Sequence, residues 1–300
     1  MRAVWSFWSK PFHAYKGSIW GRPLQHMLAW GLSLHTARAH YPETVLITDT
    51  VGKLLLVDQL GLSFTEVSTE LDRLKDVSID WWAIGKLVAY SLQDRPFLHI
   101  DSDVFLWKPL PAHLESAPVI AQAPEHFYSA DQLYRPQQME QLFADHNLPL
   151  PVEWEWVRSR DPHHMRQENC GVLGGSDTAF LRYYANLGID LATNPKHQSA
   201  WTNSTNKESY NWLLEQFLLA ACIDYHRFHP DSPHRGISIK YLFSSFEQGF
   251  DPNEAARAGF THLLGGSKSH SAIVKRLEAR IRRDDPAYYR RCEALARATT

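Results

Sequence analysis

Asp101-Ser102-Asp103 places two carboxylates two residues apart, directly after the apolar run Pro96-Phe97-Leu98-His99-Ile100. Apolar residues resume at once with Val104, Phe105, Leu106 and Trp107. On extended backbone, side chains at i and i+2 project to the same side. Two carboxylates held that close resist ionising together. At the carboxyl end of a strand they sit on the rim of a sheet, where open α/β folds bind ligands. A divalent cation resolves the repulsion, and an all-oxygen pair suits Mg²⁺ or Mn²⁺. The plain alternative is a pair of turn carboxylates closing a strand. As rim residues they would contribute little to the core.

A second pattern stands near the C-terminus. His262-Leu263-Leu264-Gly265-Gly266-Ser267-Lys268 reads H-x-x-G-x-x-K. A short helix is predicted just before it, with Asp251 at its N-cap, Pro252 in its first turn, Glu254 completing a capping-box-like pair and Gly259 ending it. Phe260 to Leu264 then reads as a brief strand. Gly265-Gly266 lets backbone approach a ligand closely, and Lys268 adds positive charge beside it. With the two aspartates these residues could complete a metal–diphosphate site. The alternative is a surface histidine and a solvated lysine in a turn.

Strand, D-x-D and, well over a hundred residues later, H-x-x-G-x-x-K together resemble the GT-A fold glycosyltransferases. The pattern is most similar to the glycogenin and bacterial galactosyltransferase group, glycosyltransferase family eight. The resemblance covers roughly residues 1–270 and implies that Asp101, Asp103 and His262 bind Mn²⁺ or Mg²⁺. It implies that Gly265 and Lys268 hold the diphosphate of a nucleotide sugar, a UDP-sugar in that family; Ser102, inside the D-x-D, is a further candidate for donor binding. Two departures mark a divergent relative. Lys268 is followed by Ser269-His270 where the family continues Pro-Trp, and the family's D-Q-D segment is replaced by Asn211-Trp212-Leu213-Leu214-Glu215-Gln216.

Length and composition agree with an intracellular enzyme. Three hundred residues with 44% hydrophobic content supply a large core. A net charge of −2 lacks the basic footprint that nucleic-acid binding needs. Cys170, Cys222 and Cys292 are scattered, odd in number and without C-x-x-C, which suggests a reducing compartment and no structural zinc. No apolar stretch reads as a signal peptide or a membrane span. The expectation is a cytoplasmic enzyme of bacterial glycan synthesis, free or at the inner face of the membrane, acting on a glycan or lipid-linked acceptor.

The elements that must position these residues follow a β/α order. Strands are predicted over 3–8, 44–48, 63–67, 97–100 and 119–121, and helices over 22–40, 53–60 and 81–92. Repeated strand–helix–strand units with short loops predict an α/β fold with a mostly parallel, Rossmann-like sheet and helices on both faces. By the resemblance this is the GT-A type. Residues 1–268 are expected to form one transferase domain. Residues 124–168, rich in Pro, His and aromatics, read as a weakly structured lid or acceptor insertion. Trp154 and Trp156 there could offer a sugar platform or pin the loop to the core. His163-His164 on such a loop is a weak metal candidate.

Residues 269–300 read as a helical tail. Ile273, Leu277 and Ile281 share a face, with Lys275, Arg276, Arg280, Arg282, Arg283, Arg290 and Arg291 around it. The tail could touch an anionic membrane surface, serve as an oligomer contact, or stay solvated.

Other candidates complete the site. Asn169, in Glu168-Asn169-Cys170-Gly171, resembles the segment that contacts the donor sugar in such transferases, and an amide suits a hydroxyl. Glu215 and Gln216 interrupt the apolar run Trp212–Cys222. A buried ionised Glu is expensive unless paired, so Glu215 either faces a catalytic cleft or forms a salt bridge. Lys86 lies off the apolar stripe of its helix and could contact the donor or simply be solvated. Ser6, Trp8 and Asp49, at the ends of the first strands, are candidates for the base and ribose; Asp49 could instead cap the next turn. Two alternatives stay open. A nucleotidyltransferase would normally show a Gly-rich loop after the first strand, where this chain has Ser6-Phe7-Trp8-Ser9-Lys10. A non-catalytic sugar- or partner-binding module is the other.

Overall fold

The structure, a computed structural model, describes residues 1–14, 20–128, 135–204 and 207–298. Its strands are β1 (Arg2–Phe7), β2 (Thr44–Thr48), β3 (Glu66–Ser68), β4 (Phe97–Ile100), β5 (Val104–Leu106), β6 (Val119–Tyr128), β7 (His164–Gly175), β8 (Ile239–Tyr241) and β9 (Phe260–His262). The chain divides into two compact units. The first holds Met1–Lys75, His99–Leu110 and Pro252–Thr300; the second holds Asp76–Leu98 and Pro111–Asp251.

In the first unit β1, β2 and β3 pair in parallel, with Ala3 opposite Thr44 and Val45 opposite Glu66. β2 is buried along its whole length, and most of β1 is too. That is why both read as continuous apolar runs without alternation. β5 and β9 form a separate antiparallel ladder in which Val104 faces His262. The helix Pro23–Arg38 begins with proline in its first turn, where no backbone donor is needed. The helices Ser271–Asp284 and Pro286–Ala298 pack against it. Gly31 makes that contact possible: a Cβ there would lie 2.2 Å from a Tyr288 ring carbon. Tyr288 donates its hydroxyl hydrogen to the Met27 carbonyl at 2.6 Å.

The expected basic tail is therefore part of this unit's core. Leu277, Ile281, Tyr288, Tyr289 and Cys292 are buried. Several arginines are engaged locally: Arg280 and Arg283 with Asp284, Arg291 with the Leu60 carbonyl.

In the second unit β6 pairs antiparallel with β7 and parallel with β8, with an irregularity between Ala121 and Ala123. The helices Ile84–Ser91 and Thr178–Thr193 pack against each other, with Gly188 opposite Leu87. Pairing within the units is mostly parallel and the sheet strands are flanked by helices, the α/β class expected.

Residues 124–168 depart from expectation. They contain the helices Pro136–Asp145 and Val152–Arg160 and the ends of two strands. Pro136 opens its helix at a first-turn position that favours proline, and Pro151 stands at the N-cap of the next. Trp154 is fully buried, edge-on to Phe217 at 4.6 Å, and donates to Glu140 Oε1 at 3.0 Å. It pins the segment to the core and offers no sugar platform. The short strand expected at 119–121 runs on to Tyr128. Among the described residues no helix is long and apolar enough to cross a membrane.

Candidate metal centre

β4 ends at Ile100, and the chain turns over Asp101–Val104, where the Val104 N–H donates to the Asp101 carbonyl at 3.0 Å. Asp101, Ser102 and Asp103 thus sit on a turn, and strand alternation does not orient them. The convergence comes from the β5–β9 ladder. Its register sets Val104 against His262, and the Leu263 N–H donates to the Asp103 carbonyl at 3.0 Å. One ligand atom each from Asp101, Asp103 and His262 then lie within 4.8 Å of one another. His262 Nε2 is 3.5 Å from Asp103 Oδ1, and Lys268 Nζ is 2.6 Å from Asp103 Oδ2.

Asp103 is more buried than a rim carboxylate, its side chain only 10% exposed. Burial alone would raise its pKa. The neighbouring His262 and Lys268 outweigh burial and hold the carboxyl well below its usual range. Oδ1 is buried and makes no hydrogen bond within ordinary geometry. An electropositive atom there would satisfy it. Two carboxylate oxygens and an imidazole nitrogen are a donor set that Mn²⁺ accepts readily and Mg²⁺ accepts with its preference for oxygen. The residues fit a hard divalent cation.

Gly265 and Lys268 stand on the short turn Gly265–Ser269. Gly265 has φ +46°, a left-handed conformation that favours glycine, and nothing lies within 4 Å of a Cβ built on it. The backbone here is open to close approach. Lys268 Nζ lies 5.7 Å from the Trp20 ring centre. His26 stands 6.3 Å from Trp20 and 4.8 Å from Phe12, ring centre to ring centre. Burial first, then the charge of Lys268, lowers the His26 pKa to about 4. Neither Trp20 nor His26 stood out in the sequence, because an aromatic on a predicted helix or loop reads as core.

The base and ribose candidates lie in the same unit. Ser6 Oγ is 2.9 Å from His99 Nε2. Trp8 is buried. Asp49 caps the helix Thr50–Lys53 by accepting from the Gly52 N–H at 2.6 Å, and it also accepts from the Ser9 N–H and hydroxyl at 3.0 and 2.7 Å. Ser102 is half-buried in the D-x-D turn.

The second unit holds the remaining candidates. Glu215 and Gln216 lie on a π-helical turn, Leu213–Phe217, a rare geometry that often marks function. Glu215, 1% exposed, is paired: Lys86 Nζ is 2.6 Å from its Oε1, and the Tyr90 hydroxyl donates to the same oxygen at 3.1 Å. Lys86 is therefore not a solvated helix charge. The Asn169 amide donates to Glu125 Oε1 at 2.7 Å, and Gln167 donates to Glu125 Oε2 at 2.6 Å and to Gln216 Oε1 at 2.9 Å. Glu125 and Gln167 were missed. Polar residues at alternate positions of one strand, Gln167 and Asn169, on the face they share with Glu125, are the signal that could have found them.

Glu168 is fully buried beside Arg166 at 3.0 Å and the Tyr241 hydroxyl at 3.1 Å. Burial dominates and raises its pKa to about 7 despite Arg166. His164 stacks on His126, their ring nitrogens 3.0 Å apart. Among the described residues the group of three or more potential ligands that converges is Asp101, Asp103 and His262.

A family model described as a family of unknown function (DUF6734) matches residues 1–295. No curated protein matches the chain. Three solved structures are similar. One is the galactosyltransferase LgtC in complex with donor and acceptor sugar analogues, at 12% identity, 93% of this chain, 94% of that chain and TM-score 0.41. An active-site mutant of LgtC follows at 11%, 93%, 96% and 0.35. The third is apo mouse xyloside xylosyltransferase 1, at 11%, 86%, 92% and 0.34. These likenesses are too loose to carry a fold or an activity to this chain.

Proposed function

The chain belongs to that family of unknown function, and we propose that it is a metal-dependent glycosyltransferase using a nucleotide-sugar donor. The observation that carries the proposal is the meeting of Asp101, Asp103 and His262, with Lys268 alongside. Two motifs far apart in sequence meet there, as the resemblance to GT-A glycosyltransferases implies. Asp101, Asp103 and His262 would hold Mn²⁺ or Mg²⁺. When bound, the ion supplies positive charge that stabilises a leaving diphosphate.

The chain's own groups divide the remaining work. Asp103 keeps its negative charge at neutral pH because His262 and Lys268 neighbour it. Lys268 offers three donors and a point charge for phosphate oxygens. Gly265 leaves backbone accessible, and Ser102 supplies a hydroxyl. Ser6, Trp8 and Asp49 belong to the proposal as base and ribose contacts, and Lys86 as a donor contact. Asn169, Glu215 and Gln216 are its catalytic candidates, supported by the buried polar networks that fix their side chains. Residues 1–268 would form the transferase domain. A UDP-sugar is the proposed donor and a glycan or lipid-linked acceptor the proposed recipient.

The test is metal-coupled nucleotide binding. Ligand at about one hundred times Kd stabilises by roughly 2.7 kcal/mol, which is several degrees in Tm for a chain of this size. UDP with Mn²⁺ should raise Tm by that amount, and UDP with EDTA should not. Equal shifts in both conditions would remove the metal from the proposal. A screen of nucleotide sugars for Mn²⁺-dependent release of UDP then identifies the donor.

A further inference from the structure

We infer that His99, anchored by Ser6, is a positioning residue that orients the Asp101 carboxylate toward a bound divalent cation. This rests on the functional reading above. His99 lies on β4, two residues before Asp101, and is 1% exposed. Its strand neighbours Phe97, Leu98 and Ile100 are apolar and buried. A buried imidazole in such company is costly unless its nitrogens are engaged. Nε2 lies 2.9 Å from Ser6 Oγ on β1, and Nδ1 lies 3.7 Å from Asp101 Oδ1.

The serine hydroxyl both donates and accepts. When Ser6 donates to Nε2, the ring proton sits on Nδ1, on the side of Asp101. The Asp101 carboxylate can only accept, so it favours the proton on Nδ1, and the serine hydroxyl then donates to Nε2. The 3.7 Å separation exceeds hydrogen-bond length, and a carboxylate movement of under about 1 Å closes it.

β1 also holds the backbone of the same residue. Trp5 Nε1 donates to Ser33 Oγ at 3.0 Å, and Ser33 Oγ donates to the Asp101 carbonyl at 3.1 Å. Trp5 and Ser6 are consecutive on a strand and point to opposite faces. Trp5 acts on the Asp101 carbonyl through Ser33, and Ser6 on its carboxylate through His99. Asp103 has a different partner, Lys268. His99 is thus the imidazole placed behind the Asp101 carboxylate. Groups of this kind typically change metal affinity 10- to 100-fold when removed.

The experiment titrates Mn²⁺ against the full chain without nucleotide, reading free Mn²⁺ by electron paramagnetic resonance, with Tm recorded in parallel. His99→Phe fills the space and deletes both nitrogens; it should weaken Mn²⁺ binding at least about tenfold. His99→Asn restores a polar group near the Nδ1 position and should recover most of that loss. Ser6→Ala should shift affinity in the same direction by less. Thr48→Val deletes a buried hydroxyl that donates to the Phe7 carbonyl at 2.6 Å in the same unit. It should lower Tm and leave Mn²⁺ affinity unchanged, separating stability from positioning. Wild-type Mn²⁺ affinity in both His99→Phe and Ser6→Ala would overturn the inference, as would His99→Asn binding no better than His99→Phe. If His99→Phe fails to fold, Ser6→Ala decides alone. Wild-type protein that binds no Mn²⁺ would instead overturn the functional reading beneath it.

Discussion

Asp103 in the first unit and Glu168 in the second are both buried carboxylates, yet their surroundings shift them in opposite directions. Asp103 has Lys268 at 2.6 Å and His262 at 3.5 Å, and its pKa is driven well down. Glu168 has Arg166 at 3.0 Å, but complete burial prevails and raises its pKa to about 7. A cationic neighbour does not by itself make a buried carboxyl a charged ligand. The balance of desolvation against nearby charge decides it. Asp103 is ready at neutral pH to meet a cation, with Oδ1 buried and without a hydrogen bond. Glu168 holds a proton for much of the time at the same pH.

The largest effect that would sharpen this contrast is expected from Asp103→Asn. It removes one metal-binding charge at constant volume and should lower Mn²⁺-dependent turnover of the donor by at least about 100-fold. It should also destabilise the chain. Lys268 is only 13% exposed and would lose its counter-charge, at a cost on the order of 3 kcal/mol. A rim carboxylate would matter little to the core; the burial of Asp103 reverses that expectation. Lys268→Met should differ by weakening UDP binding while Mn²⁺ binding persists. Normal turnover by Asp103→Asn would break the comparison from the first unit's side.

A smaller effect is expected from Glu168→Gln, read in the pH dependence of unfolding. The Glu168 pKa is raised from its ordinary value of 4.5 to about 7. The folded state therefore binds more protons than the unfolded chain between those values. Its contribution to stability is fully present below about 4.5 and is lost as pH rises through about 7, with a slope of at most about 1.4 kcal/mol per pH unit. Glu168→Gln should flatten the stability profile between pH 5 and 8. Identical profiles for variant and wild type would show that Glu168 stays ionised, and the contrast with Asp103 would fail.

Local features of the fold are legible in the sequence, and long-range ones are not. β2 and β4 were found where they lie, because continuous apolar runs of β-branched and aromatic residues mark buried strands. The helix Pro252–Ala258 and its end at Gly259, φ +64°, followed from capping chemistry. Asp101, Asp103, His262 and Lys268 were identifiable by type and spacing. What brings them together, the Val104–His262 register, is a pairing between distant segments that no local pattern encodes. The same limit hid Lys86 as the partner of Glu215 and His99 as a neighbour of both Ser6 and Asp101. Residues 124–168 were misread because proline at a helix start looks, in sequence, like proline in a loop.

The central claim is that residues from two separate motifs form one cation site. Titrating Mn²⁺ into wild type, Asp101→Ala, His262→Ala and the double variant, with and without UDP, tests it most directly. Ligands of one ion act as a unit and their losses do not add. Wild type should bind one Mn²⁺, more tightly with UDP present, each single variant should lose most of that affinity, and the double variant should lose little more than the worse single one. His262→Ala binding Mn²⁺ and UDP with unchanged affinity would contradict the account.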